Sequence, residues 1–447
     1  MKKVITYGTF DMLHYGHINL LKRAKALGDY LIVGVTTENY DKGRGKLNVQ
    51  KSCIDRINDV RATGLADEII IEEYEGQKID DIQKYGIDIF AIGSDWVGKF
   101  DYLKEYCDVV YLERTKGISS TQIRDLSQRI VEIGIIGSGR IANRFVLESK
   151  YVSGVDVVGV YNPNQASADA FCAKHELKIA SSNFDSFAEN VDAIYIASPH
   201  KTHADYIRQA LNKGKHVLCE KPITLSKTET ESLYELANSK NLVLLEAIKT
   251  AYSPGFTHLI SLVKSGCIGT IKDVEASFTK LTTGNLRELN PQMAGGSVTE
   301  LASYVLLPIV KLFGNDFCDV RFFSSYENGV DIFTKGLFQF KQSTASFKVG
   351  LGVKTEGCLI ISGTKGYAYV PAPWWKTEYF ELRYEDLNNT KKYFYKFDGD
   401  GLRYEIEEFL HLINSPKKES YKLSIKESTA ISSVIDIYIK GQKTTLI

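Results

Sequence analysis

The sequence predicts an α/β protein in which two parallel sheets are followed by a large, mostly antiparallel sheet. Two observations indicate the parallel sheets: short apolar strands alternate with helical patterns over residues 2–125, and the same rhythm returns over residues 130–247. A third observation concerns the rest of the chain. Beyond Tyr252 the strands become alternating and aromatic-rich, which is typical of an antiparallel sheet with one solvated face.

The size and composition of the chain limit what it can be. At 447 residues it is too long for one core, and we expect domains at residues 1–128, 129–250 and 251–447. Lys and Arg together number 55, and so do Asp and Glu, so no net charge favours nucleic acid or a membrane as a partner. No apolar run approaches the roughly 18 residues of a membrane span, and we expect no secretory signal, because Met1 is followed directly by a short strand pattern. Seven scattered cysteines without a CxxC pair predict reduced thiols in a cytoplasmic protein, and we assign no metal-ligating residue.

The first alternating region supplies the first parallel sheet. A helix is expected over His17–Leu27, because Leu20, Leu21 and Ala24 share one face with Leu27, and another near residues 119–128. The expected strands are Lys3–Tyr7, Tyr30–Val35, Glu68–Ile71, Ile87–Ile92 and Val109–Leu112.

The second and third regions follow from the same patterns. The second parallel sheet is expected from Ile130–Ile136, Val157–Tyr161, Ala193–Ala197, His216–Cys219 and Leu242–Leu245. The antiparallel strands are expected at Asp273–Leu281, Val330–Phe340, Ser343–Leu351, Gly357–Val370, Tyr379–Tyr384 and Lys391–Phe397. Amphipathic helices over Gly401–Ile413 and Ser424–Tyr438 complete an α+β domain.

The first chemical motif is Gly-Thr-Phe-Asp-Met-Leu-His-Tyr-Gly-His at residues 8–17. His14 and His17 are three apart at a helix start, so they share a face, and Gly16 leaves room for a nucleotide near the backbone. Two imidazoles there can donate hydrogen bonds to charge developing on a phosphoryl oxygen. A bare HxGH could equally be two surface histidines, but the preceding Gly-Thr-Phe-Asp favours the catalytic interpretation.

A second motif, Arg-Thr-Lys-Gly-Ile-Ser-Ser-Thr-Gln-Ile-Arg at residues 114–124, supports that interpretation. Ser119, Ser120 and Thr121 form a phosphate cradle at a helix start, with the cation of Arg114 beside it. With these motifs, residues 3–125 resemble the glycerol-3-phosphate cytidylyltransferase family. The resemblance implies a Rossmann-like nucleotidyltransferase domain that uses CTP and Mg²⁺ to convert a small phosphate monoester into a CDP-linked product and pyrophosphate.

The same resemblance implies roles for individual residues. His14 and His17 would stabilise the transition state. Thr9 and Phe10 would line the nucleotide site, Arg114 and Ser119 to Thr121 would hold CTP, and Arg44, Lys46 and Arg56 would meet phosphate. Without the resemblance, residues 42–46 would be interpreted as a solvated basic loop.

Two departures from the family pattern concern the acceptor half of this site. Gly64, with Arg61 nearby, stands where the family has a second arginine, and Tyr74 and Glu75 stand where it has a tryptophan. The acceptor is therefore open between glycerol 3-phosphate and a longer polyol phosphate.

The third motif, Gly-Ser-Gly-Arg-Ile-Ala at residues 137–142, lies between a strand and a helix. Gly137 permits a tight turn, Gly139 lets a pyrophosphate approach, and Ala142 packs helix on strand. This predicts a doubly wound Rossmann domain whose cofactor contacts include Ser138, Arg140 and Ile141. The second strand ends at Asn162, which could serve the ribose hydroxyls. Because neither an acid nor an arginine follows that strand, NAD and NADP remain equally possible.

Two later motifs complete a second resemblance. They are Ile-Ala-Ser-Pro-His-Lys-Thr-His at residues 196–203 and Val-Leu-Cys-Glu-Lys-Pro at residues 217–222. With them, residues 130–447 resemble the glucose–fructose oxidoreductase/inositol dehydrogenase (Gfo/Idh/MocA) family. The resemblance places Ser198, His203 and Glu220 near the cofactor, and Lys221 beside the nicotinamide and the reacting oxygen.

The family's later glycine-rich motif appears at residues 295–304. Glu300 stands where the family often has Asp, and Tyr304 stands where it often has His and could act as proton donor; it could also be one more core aromatic. Lys249 could bind a substrate phosphate or be a solvated helix residue.

These motifs lead to a hypothesis of two consecutive reactions. An NAD(P)H-dependent module would reduce a keto- or aldo-sugar phosphate to a polyol phosphate, and the cytidylyltransferase would convert this product to a CDP-alditol for a cell-wall or capsule polymer. Two alternatives stay open: a non-catalytic binding or oligomerising second module, and a reductase that acts on the CDP-linked product or an unrelated sugar. Both resemblances imply a homo-oligomer, a dimer or a tetramer.

Overall fold

The computed structural model describes residues 1–11, 13, 15–43, 49, 51–74, 76–113, 130–284 and 286–447. The chain forms two compact units, Met1–Gln128 and Arg129–Ile447. The expected helix near residues 119–128 lies outside the described residues.

The first unit contains one parallel sheet in the order β3-β2-β1-β4-β5. Its strands are β1 (Lys3–Gly8), β2 (Tyr30–Thr36), β3 (Glu68–Glu72), β4 (Ile89–Gly93) and β5 (Asp108–Leu112). Its helices are α1 (Tyr15–Lys25), α2 (Glu38–Gly43), α3 (Cys53–Ala62) and α4 (Gln77–Tyr85). Apolar side chains on both faces of the sheet form two clusters, one containing Val4 and Val33 and the other Ile5 and Phe90.

The second unit begins with a six-stranded parallel sheet in the order β8-β7-β6-β9-β10-β11. This is the strand order of a dinucleotide-binding fold, with the order reversing beside β6. The strands are β6 (Val131–Ile136), β7 (Val155–Tyr161), β8 (Ile179–Ser181), β9 (Ala193–Ile196), β10 (His216–Glu220) and β11 (Leu244–Ala247). The helices are α5 (Arg140–Ser149), α6 (Gln165–His175), α7 (Phe184–Glu189), α8 (His203–Asn212) and α9 (Lys227–Ser239).

The third sheet has nine strands in the order β19-β18-β17-β16-β12-β15-β14-β13-β20. Seven strands are β12 (Ile271–Thr279), β13 (Asp319–Glu327), β14 (Val330–Gln339), β15 (Thr344–Gly350), β16 (Leu359–Gly363), β17 (Gly366–Val370) and β18 (Tyr379–Tyr384). The edges are β19 (Lys391–Phe394) and β20 (Thr444–Leu446). The β12–β15 and β13–β20 pairs are parallel and the other pairs are antiparallel, so the predicted fold class is confirmed.

Further α-helices belong to this part of the chain. They are α10 (Lys249–Tyr252), α11 (Pro254–Lys264), α12 (Ser297–Phe313), α13 (Leu402–Asn414) and α14 (Ile425–Ile439). The apolar helix α12 packs on β12, β14 and β15, and its other side meets α14. One continuous core therefore includes Phe145 of the parallel sheet's layer and Phe347 of the large sheet.

The structure differs from the sequence prediction in the large sheet, where one expected strand is two strands and where β13 and β20 were not predicted. The expected single strand Gly357–Val370 is two strands, β16 and β17, which pair with each other across a turn at Thr364 and Lys365. Strand β13, which sequence analysis missed, alternates buried Val320 and Phe322 with more exposed residues. The expected single strand was wrong because a short polar turn inside an aromatic-rich run barely interrupts the alternation that predicts strands.

Two findings bear on the environment of the chain. No helix among the described residues is long and apolar enough to cross a membrane. All seven cysteines are free thiols, as predicted.

Candidate functional site

The first candidate site begins where β1 ends. Phe10 is 1% exposed and has a φ of 51°, a left-handed conformation that a bulky side chain rarely adopts. A Cβ on Gly8 would lie 3.0 Å from the Phe10 ring, so glycine there lets the ring fold back over the strand end. Strain of this kind persists where the surroundings fix it, and it is common at functional sites.

A buried network of polar groups lies beneath this turn. The Arg56 guanidinium is fully buried, donates to the Thr9 carbonyl oxygen at 2.7 Å and lies 3.7 Å from a carboxylate oxygen of Asp41. Asp41 also accepts from the hydroxyl groups of Thr9 at 2.9 Å and Thr36 at 2.5 Å. The Nη2 of Arg56 is buried without a hydrogen-bond partner among the described residues. One donor of this cation is therefore available to an anionic ligand.

The structure brings His17 next to Phe10. The two rings meet edge to face with centroids 5.6 Å apart, and His17 lies in the first turn of α1. Thr9, Phe10, His17 and Arg56 thus gather at the carboxyl end of β1, the edge at which α/β sheets bind ligands. The other residues predicted for this site lie outside the described residues: His14, Arg44, Lys46, Arg114, Ser119, Ser120 and Thr121.

The two departures noted in the sequence lie on the surface of the unit. Gly64 follows α3 with a φ of +66°, and the Arg61 guanidinium donates to the Asn58 side chain. The Tyr74 side chain is 48% exposed and its hydroxyl donates to Asp80 at 2.6 Å.

Sequence analysis missed a second buried polar cluster in the first unit. Lys78 pairs with Glu72, and its ammonium lies 4.7 Å from the centre of the Tyr7 ring. The Tyr7 hydroxyl donates to Asp81 at 2.8 Å, and burial, followed by the Asp81 charge, raises the pKa of that phenol. These residues come together from β1, β3 and α4, so no local pattern could have linked them.

The second candidate site starts at the glycine turn after β6. Gly137 has a φ of +98°, and a Cβ there would lie 2.8 Å from the Ala197 carbonyl oxygen. A Cβ on Gly139 would meet no described atom within 4 Å, so the space in front of α5 is open at this residue. Ala142 is fully buried, as expected, and Ile141 packs against the same core. A glycine turn that opens onto a helix start fits the pyrophosphate of a dinucleotide.

The end of β7 borders this turn. The Asn162 amide donates to the Ser138 hydroxyl at 2.9 Å, and its oxygen accepts from the Asn164 backbone N–H at 2.9 Å. Asn162 therefore lies beside the glycine turn, where the adenosine ribose of a dinucleotide is expected. Arg140 is exposed and pairs with Glu288 at 2.9 Å, which links α5 to the segment before α12.

His203 joins the two loops that carry the later motifs. It is fully buried, and its ring nitrogens lie 2.9 Å from the Pro222 carbonyl oxygen and 3.0 Å from that of Ser198. Burial lowers the pKa of this imidazole. These contacts fix the loops after β9 and β10 relative to each other; a direct contact of His203 with the cofactor stays a prediction.

Lys221, Glu300 and Tyr304 come together between the parallel sheet and α12. The Lys221 ammonium donates to the Glu300 carbonyl oxygen at 2.7 Å and lies 5.7 Å from the centre of the Tyr304 ring. Glu220 accepts a hydrogen bond from the Tyr195 hydroxyl at 2.6 Å. Burial holds the pKa of the Tyr304 phenol well above its ordinary value. A cation next to a phenol that keeps its proton can polarise and protonate a carbonyl oxygen.

The Glu300 carboxylate contacts Arg287 and His200. Arg287 binds it with its two terminal nitrogens at 2.8 and 2.9 Å, and His200 Nδ1 lies 3.7 Å from one of its oxygens. Burial, followed by the Lys221 charge, holds the pKa of His200 well below its usual range, so the imidazole is neutral. Sequence analysis missed Arg287 and His200. His200 meets Glu300 across 100 positions of the chain, and no motif indicates Arg287.

Lys249 is largely buried rather than solvated. Its ammonium donates to the Asp400 carbonyl oxygen at 2.7 Å. Burial lowers its pKa, against the opposing charges of Glu405, Asp400 and Glu220. It therefore belongs to a buried group of ionisable side chains behind the Glu220 strand end.

Comparison with known proteins assigns both units. Residues 5–126 match the model of the cytidylyltransferase-like family, and residues 131–247 match an oxidoreductase family with an NAD-binding Rossmann fold, Gfo/Idh/MocA. The glycerol-3-phosphate cytidylyltransferase of Bacillus spizizenii is 56% identical over 124 residues, which cover 95% of that protein and 28% of this chain. The chain therefore belongs to the cytidylyltransferase-like family, fused to a Gfo/Idh/MocA oxidoreductase.

The oxidoreductase unit has relatives along its whole length. The trans-1,2-dihydrobenzene-1,2-diol dehydrogenase of Sus scrofa is 28% identical over 322 residues, which cover 94% of that protein and 68% of this chain. The crystal structure of a 3-ketoreductase from Actinomadura kijaniata with NADP and TDP-benzene superposes with a TM-score of 0.63 at 21% identity, over 71% of this chain and all of that one. Both predicted families and both predicted enzyme classes are confirmed.

Proposed function

We propose that the chain is a bifunctional cytoplasmic enzyme that makes a polyol phosphate and activates it. The oxidoreductase unit reduces a keto- or aldo-sugar phosphate with NADH or NADPH. The cytidylyltransferase unit then transfers a cytidylyl group from CTP to the resulting glycerol 3-phosphate or longer alditol phosphate. The observation that carries the proposal is the fusion itself, because one unit can supply the substrate of the other. The CDP-alditol product would serve the synthesis of a cell-wall or capsule polymer.

The geometry of the first unit supports cytidylyl transfer. The acceptor phosphate oxygen attacks the α-phosphorus of CTP, and pyrophosphate leaves. His17 and the unpartnered donor of Arg56 lie at the carboxyl end of β1, where hydrogen bonds to the phosphoryl oxygens would stabilise the developing charge. The described residues contain no group of three His, Cys, Asp or Glu side chains placed to hold a metal ion. Mg²⁺ would accompany CTP, as the resemblance to the cytidylyltransferase family implies.

The geometry of the second unit supports carbonyl reduction. The dinucleotide would be held by the turn at Gly137 and Gly139 and by Asn162, and it would supply the hydride. Lys221 orients and polarises the carbonyl oxygen, and the Tyr304 hydroxyl delivers the proton. The relative from Sus scrofa is named for a vicinal diol, which favours a substrate with neighbouring hydroxyl or keto groups.

The test is a coupled assay with the full chain. Protein, CTP, Mg²⁺, NADH or NADPH and ketose phosphates of three to six carbons are mixed, and cofactor oxidation and pyrophosphate release are followed together. The expected result is one ketose phosphate that gives both signals. If none gives both, the coupled scheme is wrong, and a screen of polyol phosphates with CTP alone still identifies the acceptor.

Two alternatives have observations in their favour. A non-catalytic second unit is favoured by the absence of an acid after β7, and by Glu300 and Tyr304 at the positions where the family often has Asp and His. This alternative is excluded if the chain binds the cofactor and if Lys221→Ala abolishes turnover. A reductase for the CDP-linked product is equally compatible with the fusion. Order of addition separates this case, because reduction would then require prior incubation with CTP.

We also propose that the chain is a homo-oligomer, a dimer or a tetramer, as the two resemblances imply. Sedimentation equilibrium of the full chain measures its mass directly. A monomer at all concentrations would contradict the proposal.

A further inference from the structure

Two buried side chains hold the loop that carries Lys221. This loop follows β10, and each side chain binds the backbone of one of its residues. His203 Nδ1 lies 2.9 Å from the Pro222 carbonyl oxygen. The backbone N–H of Ile223 donates to the Glu246 carboxyl at 3.0 Å. The two residues that directly follow Lys221 are therefore fixed by side chains from outside the loop.

Glu246 reaches the loop from the neighbouring strand. It lies on β11, in register with Cys219 of β10, and it is fully buried. Its own backbone carbonyl oxygen accepts from the Tyr252 hydroxyl at 2.6 Å, so the base of the side chain is also fixed. A buried N–H without an acceptor is costly, and Glu246 supplies the acceptor that Ile223 needs.

A second contact fixes the other oxygen of the same carboxyl. Ile223 is bound to Oε1, and the Ser428 hydroxyl, in the first turn of α14, donates to Oε2. Ser428 is also fully buried. Because one oxygen is used by the loop and the other by α14, the carboxyl group cannot rotate without losing a hydrogen bond. Helix α14 is therefore connected to the Lys221 loop through Glu246.

The position of Lys221 matters because its ammonium must meet the carbonyl oxygen of the substrate. The ammonium donates to the Glu300 carbonyl oxygen at 2.7 Å, so the side chain is held at its tip and its backbone is held by the neighbouring residues. A displacement of about 1 Å at a catalytic group can slow a reaction ~10²-fold. Side chains that hold a catalytic group in place therefore influence the rate without touching the substrate.

We propose that Glu246 is a positioning residue of the oxidoreductase unit. It holds the loop after β10 so that Lys221 meets the carbonyl oxygen, and Ser428 in turn holds Glu246. The proposal rests on the carbonyl reduction proposed above. In this role the carboxyl acts only as a hydrogen-bond acceptor for Ile223, so an amide oxygen should replace it and a methyl group should not.

The decisive comparison is between Glu246→Ala and Glu246→Gln. The alanine variant removes the acceptor of the Ile223 N–H, and the glutamine variant restores one in a side chain of the same shape. With a ketose phosphate that the wild type reduces, kcat should fall ~10–100-fold in Glu246→Ala, while the Kd for NADPH stays within about twofold. Glu246→Gln should recover kcat to within ~3-fold of the wild type. Wild-type kcat in Glu246→Ala, or a glutamine variant as slow as the alanine variant, overturns the proposal.

Two serine variants on α14 test the second contact and remain informative if Glu246→Ala folds poorly. Ser428→Ala removes the donor to Glu246 and should lower kcat ~2–5-fold without changing the Kd for NADPH. The matched control is Ser433→Ala, because Ser433 is a buried serine of the same helix whose hydroxyl donates to the Asn315 side chain at 3.3 Å. It should keep the wild-type kcat. An equal loss in the two serine variants would show a general loosening of α14 and would overturn the role of Glu246.

A second measurement needs neither substrate nor cofactor. Hydrogen exchange of the full chain is followed in the peptide that spans residues 217–224. Exchange should accelerate in Glu246→Ala and Ser428→Ala, and it should match the wild type in Glu246→Gln and Ser433→Ala. If this peptide exchanges at the same rate in all variants, Glu246 does not hold the loop and the inference fails. If exchange differs as expected but the wild type reduces no carbonyl compound, it is the proposed reductase function that fails.

Discussion

Both units contain buried ion pairs, but the oxidoreductase unit also contains buried carboxyl groups that have no cation beside them among the described residues. In the cytidylyltransferase unit the buried cations Arg56 and Lys78 are paired with Asp41 and Glu72. In the oxidoreductase unit Glu246 and Glu405 are buried and Glu220 is partly buried. None of the three has a cation within ion-pair distance among the described residues, and burial raises the pKa of each.

This difference corresponds to the two kinds of chemistry. Phosphoryl transfer needs fixed positive charge and hydrogen-bond donors, which a paired and rigid network holds in place. Carbonyl reduction needs a proton in every turnover, and buried acids with a raised pKa can hold one near neutral pH. The predictions below test this comparison, beginning with the largest expected effect.

Removing the Tyr304 hydroxyl should have the largest effect. Tyr304→Phe keeps the ring packed against Phe278 at 5.2 Å but removes the proton donor. Reduction of the carbonyl substrate should fall by ~10²–10⁴-fold while cofactor binding, measured by NADPH fluorescence, stays within twofold. The control is Tyr326→Phe on β13, which should reduce substrate at the wild-type rate. Full activity in Tyr304→Phe would show that Tyr304 is a core aromatic residue and not the proton donor.

Breaking the paired network of the first unit should cost almost as much free energy. Arg56→Met leaves Asp41 buried without its cation, which typically destabilises a fold by ~3–5 kcal/mol. In the full chain, hydrogen exchange should accelerate in peptides from β1 and β2 and stay unchanged in those from β6 and β7. Unchanged exchange in β1 would show that the Thr9 and Thr36 hydroxyl groups suffice to hold Asp41.

The degree to which sequence predicted this molecule also differs between regions. The glycine turn at Gly137 was predicted correctly because its positive φ and its helix start are local properties that glycine itself indicates. The pairing of Arg56 with Asp41, by contrast, depends on how α3 and α2 pack under β1, so the sequence suggested a phosphate contact and gave no sign of the buried ion pair. Glu405 was not predicted at all, since a glutamate in an amphipathic helix is ordinarily a surface residue.

His17→Ala tests the electrostatic role of the first site. Loss of one hydrogen-bond donor to the transition state should lower cytidylyl transfer by ~10²–10³-fold, measured as pyrophosphate release from CTP and glycerol 3-phosphate. His17→Gln, which keeps a donor, should retain more activity than the alanine variant. If His17→Ala keeps more than a tenth of the wild-type rate, His17 contributes less than ~1.4 kcal/mol to stabilising the transition state, and the proposed role of His17 is wrong.

Glu246 gives the oxidoreductase unit a pH-dependent stability. It accepts from the Ile223 backbone N–H at 3.0 Å and from the Ser428 hydroxyl, yet burial raises its pKa to about 7. Because the folded pKa lies above the unfolded one, stability should fall as pH rises from about 4.5 to about 7, by ~3 kcal/mol in total.

Glu246→Gln removes this pH dependence. The difference in unfolding free energy between the wild type and Glu246→Gln should therefore change by ~3 kcal/mol between pH about 4.5 and about 7. Urea unfolding of the second unit at several pH values measures it. Asp331, whose pKa is also raised to about 7, contributes equally to both proteins and cancels. A difference in unfolding free energy that stays constant between pH 5 and pH 8 would show that Glu246 is ionised throughout. Glu246 would then no longer support the comparison between the two units.

The smallest effect is expected at Arg140, where the second unit has a charge pair of the exposed kind. Its side chain is 68% exposed and pairs with Glu288, so the pair contributes at most ~1 kcal/mol to stability. Arg140 also lies in the first turn of α5, where a bound pyrophosphate would attract it. Arg140→Ala should therefore weaken NADPH binding less than ~5-fold, and the loss should shrink at high salt because exposed charges are screened.

Titration by NADPH fluorescence at two ionic strengths measures both the loss of affinity and its dependence on salt. A loss that is large and independent of salt would show that Arg140 is enclosed with the cofactor, and that the oxidoreductase unit also relies on a fixed buried cation, as the first unit does.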